Sequence, residues 1–168
     1  MTFIVKPAGS SQGKGIFITR KLKEITRDAG QVVQQYQNSP FLIDGRKFDF
    51  RIYVLVTQVT PEAHIFIHKD GLARFATEPY NAGAENDKNL YMHLTNYAIN
   101  KESQKFKGNE SDFKKSLIET LEIIKDEKGE QAVRVLKEKI KDIIIKTILV
   151  GQPHLEHNYK TCMSKSSI

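Results

Sequence analysis

The sequence predicts an α+β domain in which a mainly antiparallel sheet is followed by helices. Three observations point that way. Runs rich in aromatic and β-branched residues fill the first half, the longest being KFDFRIYVLV at residues 47–56. Turn signals at Asp44-Gly45 and Lys69-Asp70-Gly71 interrupt these runs at hairpin spacing. The second half changes period: residues 111–125 and 130–150 carry apolar side chains three and four apart, as helices do. Strands first and helices after is the α+β order.

With 168 residues, 39% hydrophobic and 27% charged, the chain has the composition of a folded domain, whole or part of a larger one. No apolar run approaches the roughly 18 residues that a membrane span needs. No charged-then-apolar leader opens the chain, so secretion is not expected. The single cysteine, Cys162, excludes an internal disulfide and a cysteine zinc site, and fits a reducing compartment. A net charge of +6 favours acidic partners: nucleic acid, anionic membrane, acidic small molecules or acidic protein tails. Basic residues alternate with acidic neighbours rather than forming one block, which argues against nucleic acid.

In chain order, residues 1–6 begin at once as a strand. The loop PAGSSQGKG follows, flanked by the apolar runs 3–5 and 16–18. Gly9, Gly13 and Gly15 permit tight turns, and Lys6 and Lys14 bracket the loop with positive charge, so it reads either as a phosphate cradle or as a ligand-free glycine hairpin. It carries no Walker or dinucleotide fingerprint. Leu22, Ile25 and Ala29 at helical spacing predict a short helix over 20–29, closed by Gly30. Residues 32–40 read as a strand ending in a turn, either an adenine-edge binder or a plain edge strand.

The strand at 47–56 is two-faced. Phe48, Phe50, Ile52, Val54 and Val56 fall on one side, and Lys47, Asp49, Arg51 and Tyr53 on the other. The apolar side should anchor in the core, leaving a polar side for a site or for solvent. Residues 63–68 and 72–76 read as a hairpin turning at 69–71, with Arg74 more simply a surface ion-pair partner than an anion clamp. Residues 77–89 form a loop. YMHLTNYAINK at 91–101 fits neither period, with His93 reading first as a hydrogen-bonded structural residue, and 101–109 is expected to be mobile. A helix over 111–125 takes Ser111 or Asp112 as its cap, a second runs over 130–150 to Gly151 and Pro153, and the tail from His154 has no strong pattern.

Several stretches together resemble the tubulin–tyrosine ligase-like family of ATP-grasp ligases: IVKPAGSSQGKGIFI, VVQQY, PFLIDGRKFDFRIYVLV, GLARFATEPY, MHLTNYAINK and KDIIIKTIL. Detail in GLARFATEPY and QPHLEHNYKTC is most similar to the glutamate-adding branch, the tubulin polyglutamylases. The resemblance implies a partial ATP-grasp fold over 1–168. It implies that Lys6 contacts an ATP phosphate, with Gln12 and Gly13 in a loop that closes over it. Gln34, Gln35, Tyr36 and Gln37 would read the adenine edge, Lys47 and Asp49 would face the nucleotide, and Thr95 and Asn96 would line its phosphate end. Arg74 would clamp the incoming glutamate, Tyr97 and Lys101 would face it, and Arg51 would stabilise an acyl phosphate. At Ala98 the family often has serine, a departure that removes one polar contact.

The chemistry so implied activates a glutamate carboxylate on tubulin with ATP and joins free glutamate to it, relying on positioning and charge neutralisation. Magnesium is implied too. Its family ligands would lie beyond Ile168, so the chain is expected to be the middle of a ligase and inactive alone. The expected setting is the cytoplasmic cytoskeleton, including cilium or basal body, with acidic tubulin tails as partner and neither nucleic acid nor membrane. The alternatives are a glycylase or tyrosine ligase of the same family, or a non-catalytic microtubule-binding module.

Overall fold

The computed structural model describes residues 1–26 and 30–163. Its contacts divide into two compact units, the first formed by residues 1–51 and 72–115 and the second by 52–71 and 116–168.

The first unit holds a three-stranded sheet of β1 (Phe3–Pro7), β2 (Phe17–Thr19) and β3 (Gln31–Gln35), with β1 in the middle. Both pairings are antiparallel, and Ile4 lies opposite Ile18 on one side and Gln34 on the other. Side chains two apart share a face, so Ile4 and Lys6 project together with Gln34 and Tyr36 from the neighbouring chain segment. Ile4, Ile18, Tyr36 and Leu94 form a buried cluster there, with Ile16, Tyr80, Leu90 and Ile99 packed against it. This face is apolar at one end and turns polar at Lys6 and Gln34.

β4 (Phe48–Gln58) and β5 (His64–Phe75) are neighbours in a second sheet of order β4-β5-β6, where β6 is Lys114–Ser116. A connection of five residues leaves room only for an antiparallel pair. The hairpin thus lies at 59–63, not at 69–71. Gly71 sits inside β5, and the Asp70 carboxylate accepts from the Gly71 N–H at 2.8 Å and the Ile118 N–H at 3.2 Å. Those bonds, Gly71's first, hold the Asp70 carboxyl below its ordinary range. The Asp-Gly pair was read as a turn because its chemistry suits one, but here the aspartate serves the start of a helix instead.

Other elements differ from expectation. Within the predicted helix over 20–29, residues 20–26 hold a single 3-10 turn at Leu22–Glu24, and residues 27–29, Ala29 among them, lie outside the described residues. No residue on the apolar side of β4 is fully buried: Phe48, Phe50, Ile52 and Val56 are half-buried and Val54 is exposed. The Phe48 ring is held by ring contacts with Phe41, Phe50 and Phe75 rather than by deep burial. Residues 101–109 are pinned, not loose, with Ser103 and Phe106 buried and successive turns closed by backbone hydrogen bonds.

In the second unit, α3 (Leu117–Lys128) begins six residues later than the sequence suggested. Its cap is Ser116, whose Oγ accepts from the Glu119 N–H at 3.0 Å. Ser116-x-x-Glu119 is a capping-box spacing that outranks Ser111 and Asp112. Gly129, at φ +84°, separates α3 from α4 (Glu130–Met163), which continues through Gly151 and Pro153. Gln152, at that would-be stop, donates from Nε2 to the carbonyl of buried Val59 at 2.7 Å, tying the helix down where it should have ended. Leu117, Leu121, Ile124 and Val133 are the buried residues where α3 and α4 pack.

Candidate functional site

Every predicted site residue falls in the first unit, from Lys6 to Lys101. By contrast, the apolar groove of the second unit, lined by Ile52, Ile67, Leu117, Leu121 and Ile140, contains none of them.

The glycine loop is shaped by backbone conformation. Gln12, Gly13 and Gly15 all have positive φ, at 61°, 85° and 73°, and the turns close through Lys14 N–H to Ser11 and Ile16 N–H to Gly13. Gly13 is buried, and a Cβ placed on it would lie 2.6 Å from Ile99 Cδ1 and 3.0 Å from Asn96 Oδ1. The absence of a side chain therefore lets the loop rest directly on Asn96. Gln12 itself is exposed. At the polar end of the sheet, Lys6 Nζ donates to Gln34 Oε1 at 2.8 Å.

Among the hinge residues, Gln34, Gln35 and Gln37 are exposed while Tyr36 is buried. The Tyr36 N–H is committed to the Thr2 carbonyl at 2.8 Å, so Tyr36 itself does not offer that donor to a ligand. Its side chain belongs to a buried polar network. Lys47 Nζ donates to Tyr36 Oη at 3.0 Å and to the His93 carbonyl at 2.9 Å, and lies 4.6 Å from the centre of the Tyr36 ring. His93 Nδ1 meets Tyr36 Oη at 2.9 Å and Nε2 meets the Asn86 carbonyl at 3.1 Å.

Chemistry orders these protons. A carbonyl only accepts, so His93 Nε2 carries the hydrogen toward Asn86. Burial pushes the imidazole below its ordinary pKa, which keeps it neutral with Nδ1 as an acceptor. Tyr36 then donates to His93 and accepts from Lys47. Burial likewise raises the Tyr36 phenol, so it remains a donor. The Lys47 ammonium is pushed down to about 8, first by burial and also by the Lys6 ammonium, while Asp49 opposes the shift.

Arg74 forms a fork with Asp49, Nε to Oδ1 at 2.9 Å and Nη2 to Oδ2 at 2.5 Å, both side chains part-exposed. The structure therefore joins a residue expected at the nucleotide to one expected at the amino acid. Arg74 is thus an ion-pair partner at the surface, and its partner Asp49 stands on the polar side of β4. Arg51 is exposed on that side.

The segment that fitted no period is two one-turn helices, α1 (Leu90–His93) and α2 (Tyr97–Asn100). Between them Thr95 and Asn96 are half-buried. Asn100, 1% exposed, accepts at Oδ1 from the N–H and hydroxyl of Thr77 and donates from Nδ2 to the carbonyls of Leu94 and Asn96. Tyr97 is exposed, with the Lys114 ammonium 4.7 Å from its ring centre, and Lys101 is exposed beside Glu102. The sequence reading missed Asn100, Lys114 and the partnership of Tyr36 with His93. The only signal for His93 was its place between apolar Met92 and Leu94 in an otherwise polar stretch.

The donor set suits a polyanion. Two ammonium groups, Lys6 and Lys47, lie near enough that one disfavours the charge of the other, and an anion between them removes that repulsion. A side-chain-free Gly13 beside the Asn96 amide adds a place for close backbone approach. Among the described residues no group of three or more His, Cys, Asp or Glu is disposed to hold a metal ion, so no residue is assigned to magnesium. Among the same residues no helix is long and apolar enough to cross a membrane.

Antiparallel sheets followed by helices define the chain as an α+β protein. More particularly, the Tubulin-tyrosine ligase family profile matches residues 1–167, and the chain belongs to that family. A probable beta-tubulin polyglutamylase of Tetrahymena thermophila is 46% identical over 167 residues, covering 95% of this chain and 14% of the relative. Tubulin polyglutamylase TTLL13 of Mus musculus is 46% identical over 162 residues, covering 96% and 20% respectively. Tubulin polyglutamylase TTLL6 of Homo sapiens is 42% identical over 168 residues, covering 99% and 19%. The chain thus spans 14% to 20% of the length of these relatives.

Proposed function

We propose that the chain is part of the catalytic domain of an ATP-dependent ligase that adds glutamate to glutamate side chains of tubulin. One observation carries the reading. The Lys6 and Lys47 ammonium groups lie near enough to repel one another, and the Gly13 loop rests on Asn96, in a chain whose relatives bear the name tubulin polyglutamylase. ATP with magnesium, when bound, supplies the phosphoryl group that activates the acceptor carboxylate.

The chain's own residues bind and orient. Lys6 and Lys47 neutralise phosphate charge, with Thr95 and Asn96 beside them and Gln12 and Gly13 in the covering loop. Gln34, Gln35 and Gln37 serve the adenine edge, and buried Tyr36 acts as a post between them rather than as a contact. Asp49 fixes the plane of the Arg74 guanidinium, so a glutamate carboxylate meets it in a set orientation. Tyr97 and Lys101 face the amino acid, and Arg51 stabilises charge on the activated acceptor. A net charge of +6 suits acidic tubulin tails and a place on the cytoskeleton, cilium or basal body included.

The test gives the complete protein microtubules, ATP, magnesium and radiolabelled glutamate, glycine or tyrosine in separate reactions. Glutamate should enter tubulin, and Lys47→Met should reduce incorporation by about 100-fold or more. Incorporation of glycine or tyrosine instead of glutamate overturns the choice of substrate, and tail-dependent microtubule binding without any incorporation overturns the enzymatic reading.

A further inference from the structure

We propose that His93 and Tyr36 are positioning residues that hold the Lys47 ammonium ready for the anionic end of a nucleotide. The inference rests on the nucleotide reading above for the identity of the ligand, and on geometry for the rest. Three separate segments meet here: the residue after β3, the residue before β4, and the last residue of α1. An ammonium has three N–H donors, and Lys47 gives two of them to Tyr36 Oη and the His93 carbonyl. The third is left for a ligand.

His93 acts at one remove. By accepting the Tyr36 O–H hydrogen bond on Nδ1, it turns the oxygen's lone pairs toward Lys47. His93 is in turn fixed by the Asn86 carbonyl and by edge contacts with Tyr36 and Tyr80, ring centres 5.5 and 5.6 Å away. It is 2% exposed and Tyr36 5%, so neither side chain is placed to contact a large ligand itself. A lysine on a flexible stem would otherwise lose side-chain freedom on binding, and here that freedom is already gone before a ligand arrives.

The charges around the network are few. Lys6 disfavours the Lys47 cation and Asp49 favours it, while Asp87 and Arg20 act with opposite sign on His93. An anion binding at Lys47 favours the protonated amine. Nucleotide affinity should therefore hold below about pH 8 and decline as pH rises beyond it, because the free protein gives up the Lys47 proton there.

The experiment follows Lys47 directly in the complete protein. Trace acetylation at a series of pH values, read by mass spectrometry, reports the midpoint at which the amine becomes nucleophilic, without any nucleotide present. Fluorescent ATP binding with magnesium is measured in parallel. Tyr36→Phe keeps the ring and removes only the acceptor, so the midpoint should fall by about one pH unit and the dissociation constant rise about ten-fold. His93→Leu should move both the same way by less. His93→Asn, whose Oδ1 can sit where Nδ1 was, should return both toward the starting values although it loses the bond to Asn86. Unchanged midpoint and affinity in Tyr36→Phe and His93→Leu overturn the proposal. Displaced midpoints in a protein that binds no nucleotide leave the positioning intact and remove the nucleotide reading instead.

Discussion

The two units keep different things inside. Beside its apolar core the first buries Thr2, Thr19, Thr77, His93, Asn100 and Ser103, of which Thr2, Thr77, His93 and Asn100 bond to distant stretches of chain. The second buries Val59, Leu117, Leu121, Ile124 and Val133, with the Thr120 hydroxyl bonded to the nearby Ser116 carbonyl, and leaves Leu55, Phe66, Ile143, Leu149 and Val150 exposed. A buried polar group demands a partner at a set distance and angle, whereas a buried leucine accepts any well-filled surroundings. Directional bonds are what a site needs, because charge must be placed to fractions of an ångström. All the candidate site residues accordingly lie where the buried bonds are.

That contrast can be broken most severely at Asn100. Asn100→Ala removes four hydrogen bonds and strands the Thr77 N–H and the Leu94 carbonyl, while the Asn96 carbonyl keeps its two backbone donors. Denaturant unfolding should show a loss of about 3 kcal/mol or more, and a loss below about 1 kcal/mol would mean that packing, not bonding, frames the first unit. Gly13→Ala comes next. Its φ of 85° and the 2.6 Å approach to Ile99 Cδ1 should cost about 2 kcal/mol in stability and weaken nucleotide binding, read by melting and by titration. Ser116→Ala, in the second unit, should lower stability by about 1 kcal/mol through the lost cap, with nucleotide affinity untouched. Val150→Lys is the mildest. At 85% exposure it should change the unfolding free energy by no more than about 0.5 kcal/mol, and a larger loss would mean that this valine packs against other residues.

What the sequence made legible follows the same divide. Strand-favouring residue types located β1 and β3, and alternation located β4, since a half-buried strand writes its period into side-chain type. Helical spacing found α4 but not its end, because Gly151 and Pro153 state a local preference that the longer helix overrides. Asp70-Gly71 showed the same failure in a strand. The one-turn helices at 90–93 and 97–100 hold a single turn each, so the helical period never recurs within them. Family resemblance supplied Lys6, Lys47 and Arg74 with roles, yet not their partners. Partners such as Gln34, Tyr36 and Asp49 sit 28, 11 and 25 positions away, and nothing in local spacing encodes a bond across that distance.

Asn100 grips the carbonyls of Leu94 and Asn96, one on each side of Thr95. The path of the chain through residues 94–96 is thereby fixed from behind, by a side chain that faces the interior. The side chains at Thr95, Tyr97 and Ala98 do not share in that task. They can be exchanged while the backbone stays where it is, in the manner of bits fitted to one chuck. A path held from the interior in this way does not depend on which side chain stands at Thr95.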